Sequence, residues 1–133
     1  MKRLIASTSL LSTLFLGCAG SDVRRIECFA ESRYPRTQDQ LEKVGRWPQD
    51  GYVFSSKTGQ LYEWDEGQER YVPISIYKTT VVGDKLQIKQ KFGVLELNFN
   101  AMTAEFIDPA YAQPAQLKCL NIPIKHPVGK RSS

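Results

Sequence analysis

The chain has 133 residues, 41% of them hydrophobic, which is enough for one domain with a modest core. Its 18 Lys and Arg residues exceed its 14 Asp and Glu residues, giving a formal net charge of +4. Two of the cations, Lys2 and Arg3, open the chain, and without them the charge falls to +2. A balance so near neutral argues against nucleic-acid binding.

An uncharged segment, residues 4–16, follows the two N-terminal cations. Its length and its richness in Leu, Ser and Thr are typical of the apolar region of a secretion signal. A membrane-spanning helix needs about 20 apolar residues, so this segment is too short for a stable span. A buried core helix is the alternative, but such a helix seldom opens a chain behind two cations.

The segment ends in Leu-Phe-Leu-Gly-Cys at residues 14–18, which resembles the lipobox of bacterial lipoproteins. Gly17 and Cys18 fit that pattern, and Phe15 stands where the family usually has Leu. The resemblance implies that Cys18 receives a diacylglycerol, that the signal is cut before it, and that the new amine is acylated. Ala19 stands where members retained in the inner membrane typically carry Asp, so an outer-membrane anchor facing the periplasm is implied. Ordinary cleavage, releasing a soluble periplasmic protein, is the alternative.

The three cysteines are Cys18, Cys28 and Cys119, an odd number for a secreted protein. If Cys18 carries lipid, the other two form a natural pair, and the oxidising periplasm favours a disulfide between them. In the chain-entropy model such a long loop contributes about 4–5 kcal/mol to stability. Two buried free thiols are the alternative.

These features divide the chain into four parts. The predicted parts are a signal peptide (1–17), a short membrane-proximal tether (18–24), a single β domain (25–122) and a flexible tail (123–133).

Catalytic motifs are hard to find in this sequence. The only histidine, His126, stands in a proline-flanked stretch, and the motifs HExxH, GxSxG, CxxC and the phosphate-binding glycine loop do not occur. Glu63, Asp65, Glu66 and Glu69 cluster at a turn, but their spacing matches no calcium loop. The sequence therefore predicts a protein with no catalytic residues, no metal and no cofactor. An enzyme acting on peptidoglycan or lipid through carboxylates is the least supported alternative.

The remaining pattern predicts an all-β, antiparallel meander with one short N-terminal helix capped by Thr37 and Gln40. A disulfide that joins the first and last strands favours a small closed or nearly closed barrel, and a two-sheet sandwich is the alternative. Turns placed at Gly59, Gly83 and Gly93 also predict register. The predicted pairs are Phe54–Tyr62, Tyr52–Trp64, Val81–Leu86, Thr79–Ile88, Ile88–Leu97, Leu86–Phe99, Lys89–Glu96, Leu97–Phe106, Phe99–Ala104 and Lys78–Lys89.

The predicted partner-binding surface lies in the least regular ordered stretch, residues 34–48, and just before it. Arg33, Arg36, Arg46 and Trp47 are residue types common at binding hot spots. Two further surfaces have simpler explanations. The aromatic residues of the first hairpins could stack on a glycan but are typical of core, and Lys85, Lys89 and Lys91 could meet an anionic lipid but are typical of a solvated, guarded edge.

Together these features predict a lipid-anchored outer-membrane protein whose non-catalytic β domain binds or braces an envelope protein partner. A protective inhibitor or exclusion lipoprotein, acting against an envelope-attacking hydrolase, a phage or a toxin, is the alternative and rests on analogy alone.

Overall fold

A computed structural model of the protein describes residues 22–129. Its regular structure is almost entirely β. The strands are β1 (Val23–Ala30), β2 (Tyr52–Ser55), β3 (Leu61–Asp65), β4 (Arg70–Ile74), β5 (Lys78–Val82), β6 (Lys85–Gln90), β7 (Gly93–Asn98), β8 (Thr103–Ile107) and β9 (Ala115–Asn121). One 3₁₀ turn, Glu31–Arg33, and one short helix, α1 (Gln38–Glu42), lie between β1 and β2.

All nine strands belong to one antiparallel sheet, in the order β4-β3-β2-β1-β9-β8-β7-β6-β5. This confirms the predicted meander and the pairing of its first and last strands. The sheet curls until the β2–β3 turn reaches β5, where a Cβ placed on Gly59 would lie 3.2 Å from Val81. The curled sheet is a nearly closed barrel, but no hydrogen-bonded ladder joins β4 to β5.

The strands β4 and β5 run in the same direction, because every pairing between them through β1 and β9 is antiparallel. Only residues 75–77 connect them. Parallel neighbours need a crossover of a dozen or more residues, so β4 and β5 follow each other end to end instead of lying side by side. The nine strands therefore make eight passes, and the chain moves from one edge of the sheet to the other within three residues.

The inner face of the sheet forms one hydrophobic core drawn from both halves of the molecule. Phe54 from β2 packs against Phe99, with ring centroids 5.8 Å apart. The buried members of this core are Ile26, Phe54, Leu61, Leu86, Ile88, Leu95, Leu97, Phe99, Ala104 and Cys119.

Helix α1 begins as the sequence predicts. The Thr37 side chain accepts a hydrogen bond from the Gln40 N–H (3.1 Å), and the Gln40 side chain accepts one from the Thr37 N–H (3.2 Å). This reciprocal capping box is confirmed. No helix among residues 22–129 has the length and apolarity needed to cross a membrane.

Two of the three predicted glycine turns, those at Gly59 and Gly83, are confirmed in conformation. Gly59 has φ +83° and Gly83 has φ +63°, both in the left-handed region that glycine enters without a steric penalty. The pairs Val81–Leu86, Thr79–Ile88 and Lys78–Lys89 are also confirmed.

The predicted register of β2 and β3 is wrong by one residue. Phe54 pairs with Leu61 instead of Tyr62, so the predicted aromatic ladder, with its Tyr52–Trp64 pair, divides between the two faces. The cause is Ser55, whose hydroxyl oxygen accepts hydrogen bonds from two N–H groups of the turn and donates to the Asp22 carboxylate. These bonds start the turn one residue earlier than the glycine alone indicates.

Strand β7 is displaced by two residues relative to both of its neighbours. Leu95, instead of Leu97, lies between Ile88 and Phe106, so the hydrophobic faces are as predicted while the individual pairs differ. Gly93 explains the shift, because a Cβ there would lie 2.7 Å from the Phe106 ring. This glycine permits close packing within a strand and does not form the turn. The predicted pairs Ile88–Leu97, Leu86–Phe99, Lys89–Glu96, Leu97–Phe106 and Phe99–Ala104 are therefore wrong.

The segment that follows β9 lies beside β4. The Tyr71 N–H donates to the Pro127 carbonyl (2.9 Å), and the Gly129 N–H donates to the Tyr71 carbonyl (2.8 Å). We call residues 122–129 the strap. The sequence assigns residues 123–133 to a flexible tail, and the structure places the first seven of these against the sheet.

Candidate binding site at the distal end of the sheet

The two ends of the sheet differ in what they carry. Residue 22 enters at one end, where the Ser56 N–H donates to the Asp22 carbonyl (2.9 Å). Two residues further along the chain, in β1, the Arg24 guanidinium donates to the Phe99 carbonyl and to Asn121, each at 2.7 Å. We call this the proximal end.

The β8–β9 connection, residues 108–114, lies at the opposite, distal end. Asn121, at the proximal end of β9, is six residues from Ala115, where the connection joins the strand. At about 3.3 Å per residue, the two ends of β9 are about 20 Å apart. The N-terminal entry and this connection therefore lie on opposite sides of the domain.

A cavity of about 600 Å³ opens beneath the β8–β9 connection. Asp108 fixes the backbone turn above it, because the Asp108 side chain accepts the Ala110 N–H (2.9 Å) and the Asp108 carbonyl accepts the Tyr111 N–H (3.0 Å). Small alanine side chains leave room above the Phe106 ring. The lining consists of Phe106, Asp108, Tyr111, Ala112, Gln113 and Ala115. The volume falls within the usual range for ligand pockets, and most of the lining is apolar.

Two large exposed aromatic side chains also lie at the distal end. Tyr111 is 72% exposed, and Phe92 in the neighbouring β6–β7 turn is 70% exposed. Large exposed apolar side chains that cluster in this way are typical of an interaction surface.

The predicted binding residues fall in two places. Arg33 and Arg36 lie in and just after the 3₁₀ turn, beyond the distal end of β1, and Arg36 forms an ion pair with Glu31. Arg46 and Trp47 lie in the segment that precedes β2, where the Arg46 guanidinium stacks 5.4 Å from the Trp47 ring. Their role in partner binding stays a prediction.

The segment that carries Trp47 is held from beneath by a buried arginine. Arg25, only 4% exposed, donates to the carbonyl oxygens of Asp50 (3.1 Å), Trp47 (2.5 Å) and Gly45 (3.3 Å). Tyr71 adds a hydrogen bond to the Pro48 carbonyl (2.6 Å), and burial raises the pKa of its phenol. Trp47 is therefore held on a fixed scaffold, and 57% of its surface is exposed.

Sequence reasoning missed this scaffold. Arg25 is one of two adjacent arginines in β1, and nothing local shows that one of them points to a covered face. Alternation places Arg25 on the face opposite the buried Ile26, which predicts exposure to solvent, and the long-range packing of residues 45–50 covers it instead.

Burial, together with the nearby Asp50 carboxylate, raises the pKa of Glu27. Its side chain accepts the Gly45 N–H (3.2 Å), so it helps to fix the same segment. Asp22 at the proximal end shows the opposite shift, because the hydrogen bond from Ser55 lowers its pKa.

The predicted disulfide between Cys28 and Cys119 is confirmed. The two residues are directly opposite each other on β1 and β9, with Cα atoms 4.0 Å apart. Cys18, the predicted lipid-bearing residue, lies outside the described residues.

The acidic turn after β3 is organised by its own hydrogen bonds. Asp65 accepts the Gln68 N–H (3.0 Å), and Glu66 accepts the Trp64 indole N–H (3.1 Å). Within the part of the chain that the structure describes, no group of three His, Cys, Asp or Glu side chains is placed to hold a metal ion.

No family model matches this chain, and no curated protein or solved structure matches it either.

Proposed function

We propose that this chain is a lipid-anchored, periplasm-facing outer-membrane protein whose β domain binds an envelope protein partner without catalysing a reaction. The observation that supports this best is the placement of the N-terminal entry and the apolar cavity at opposite ends of the sheet. A lipid on Cys18 would leave three residues, 19–21, before Asp22, so the Cα atoms of Cys18 and Asp22 would lie at most about 14 Å apart. The proximal end would then face the membrane, and the cavity would face the periplasm.

The lining of the cavity favours an apolar side chain of a partner protein as its occupant. Its carboxylate, that of Asp108, accepts the Ala110 N–H, and the lining drawn from residues 22–129 contains no other acidic or basic side chain to act with it. Tyr111 lines the cavity and is exposed, Phe92 is exposed at the same end of the sheet, and aromatic side chains are common anchors of protein interfaces. Binding therefore has more support at this site than catalysis.

A photo-crosslinking amino acid at Tyr111 tests the proposal in living cells. We expect a specific protein adduct from Tyr111 and none from Ala101, an exposed residue in the proximal β7–β8 turn. The same probe at Trp47 tests the surface predicted from sequence. An adduct from Trp47 alone would move the site to that segment, and adducts from Ala101 alone would refute the distal site. An adduct with a peptidoglycan hydrolase would favour the inhibitor alternative.

The anchor has a separate test. We expect mass spectrometry of the mature protein to show diacylglycerol and an acylated amine on Cys18. The Cys18→Ser protein should remain unprocessed, because the resemblance places lipid attachment before cleavage. An unmodified N-terminus, or a Cys18→Ser protein that is still cleaved and membrane-bound, would refute the anchor and leave the distal site standing.

A further inference from the structure

The outward-facing backbone groups of β5 can be identified from one hydrogen bond. The Phe99 N–H donates to the Asp84 carbonyl (3.0 Å), so Asp84 directs its backbone groups toward β7. Direction alternates along a strand, and Lys85 therefore faces β5, where it pairs with Val82. Continuing along β5, Thr79 and Val81 direct their N–H and C=O groups away from β6.

These outward backbone groups pair with no other strand of the described chain, although the β2–β3 turn packs against the same residues, where a Cβ on Gly59 would lie 3.2 Å from Val81 and 3.4 Å from Thr79. The strand β5 ends the sheet, and no backbone hydrogen bond outside the ladders involves residues 78–82. A groove of about 490 Å³, lined in part by residues 73–77, opens where β5 begins. An extended segment pairing with Thr79 and Val81 would continue into this groove.

Lysines surround the outer side of this edge. Lys78 and Lys89 face each other, and Lys85 lies opposite Val82 at the other end of β5. All three lysines are exposed, and none belongs to an ion pair recorded for residues 22–129. On the inner side, by contrast, Thr79 and Val81 continue the rows of Ile88 and Leu86, which are fully buried.

We infer that β5 is a docking edge for an extended segment of a partner protein that alternates acidic residues with aliphatic ones. The acidic side chains would face the three lysines, and the aliphatic side chains would continue the two core rows. This surface is distinct from the distal cavity and depends on neither the cavity nor the lipid anchor. It therefore goes beyond the proposed function.

A second copy of the chain fits this edge less well. Symmetric pairing about Thr80 would place Lys78 opposite Val82 of the other copy. Lys78 and Lys89 would then share a cross-strand row with Lys85 of that copy. Like charges in one row destabilise strand pairing, whereas carboxylates in the same positions stabilise it.

Amide exchange measured by NMR on the purified full-length protein tests the inference. The probe is a short synthetic peptide that alternates Val with Glu, and its matched control alternates Val with Lys. At a peptide concentration about ten times the Kd, exchange at Thr79 and Val81 should slow about tenfold. Exchange at Thr80 and Val82, whose amides already pair with β6, should change little. The Val–Lys peptide should have no effect.

Two variants keep the test independent of folding and of the cavity. Thr79→Pro removes one outward N–H and leaves the β5–β6 ladder intact, so the protein should fold normally and lose peptide protection. Tyr111→Ser should leave peptide protection unchanged.

Three results would overturn the inference. These are equal effects of the two peptides, peptide protection that survives in Thr79→Pro, and protection without peptide that rises with protein concentration, which would assign the edge to a second copy.

Discussion

The two edges of this sheet show opposite treatments of the same problem. An edge strand presents unpaired N–H and C=O groups that can pair with another chain. On β4 the outward groups of Tyr71 are taken by the strap, and the next outward position is Pro73, which has no N–H. On β5 the outward residues are Thr79 and Val81, which are β-branched and have no such cover in the described chain.

Protection of a sheet edge is therefore local in this molecule. The strap and Pro73 act only on β4, although β4 and β5 are joined by three residues. Within residues 22–129, the C-terminal strap covers one edge and leaves the other uncovered. The uncovered edge is therefore the better candidate for binding a partner. Variants of either edge should remove this difference or show its size.

Removing the disulfide between β1 and β9 should lower stability more than any other change proposed here. Replacing both Cys28 and Cys119 with Ala should lower the free energy of unfolding by about 4–5 kcal/mol, because the bond closes a loop between residues 91 apart in sequence. Urea denaturation of the oxidised protein and the variant measures the change. Reducing the wild-type protein should give a similar loss, and a change below about 1 kcal/mol would show that β1–β9 pairing is sufficient by itself.

Removing the strap should open the guarded edge. Truncation after Ile122 deletes both hydrogen bonds to Tyr71 and the contact between His126 and Trp64, whose ring centroids are 4.7 Å apart. We expect a loss of about 2 kcal/mol and faster amide exchange at Tyr71, with exchange at Thr79 unchanged.

Truncation after Gly129 is the matched control, because it retains both strap hydrogen bonds. Slow exchange at Tyr71 in the shorter protein would show that the strap does not protect β4.

A smaller loss of stability should distinguish a substitution on covered β4 from one on exposed β5. Tyr71→Phe removes the hydroxyl that donates to the Pro48 carbonyl and should cost about 1–2 kcal/mol, since that carbonyl loses its recorded side-chain donor. Thr80→Val, on exposed β5, should change stability by less than about 0.5 kcal/mol. Thermal denaturation of the two variants compares them, and equal losses would contradict the asymmetry.

The smallest effect is a pH dependence. Burial, aided by Asp50, raises the pKa of Glu27 above its usual 4.5, so the folded chain holds this proton more tightly than the unfolded chain. The stabilisation is therefore fully present below about pH 4.5 and is lost as the pH rises through the folded pKa. Glu27→Gln should remove this slope and alter stability by less than about 0.5 kcal/mol near pH 7, because solvent screens a half-exposed group.

Asp22 provides a control of opposite sign. The Ser55 hydroxyl lowers its pKa below the usual 3.8, so its contribution is present above that pH and is lost as the pH falls through the folded pKa. Urea denaturation of Glu27→Gln and Asp22→Asn across this range should give slope changes of opposite sign. Changes of the same sign would contradict the assignment.

Local chemistry predicted the strands, the capping box and the hydrophobic faces, because each depends on neighbouring residues. The register of β2 failed because the Ser55 hydroxyl, which donates to Asp22 at a separation of 33 residues, accepts two N–H groups of the turn and starts it one residue earlier. The register of β7 failed because Gly93 serves a packing contact that lies across the sheet. Long-range contacts of this kind leave no trace in the local pattern.

The candidate sites were predictable to different degrees. The disulfide followed from counting cysteines, whereas the distal cavity lies under a connection whose composition indicated only a loop. The strap was missed because backbone groups of Tyr71 and Gly129 hold it, and every residue type has such groups. Arg33 and Arg46 could be chosen by residue type, but their distance from each other in the fold could not.

The Cys28–Cys119 bond has a mechanical consequence. A protein held near residue 22 and pulled by a partner at the β8–β9 connection would carry the load along β1 and β9, the strands that run between those ends. Such a load tends to slide the two strands past each other. The disulfide lies within their shared ladder, so sliding would stop at a covalent bond before the ladder came apart. The domain would then transmit tension between its ends as a single inextensible link.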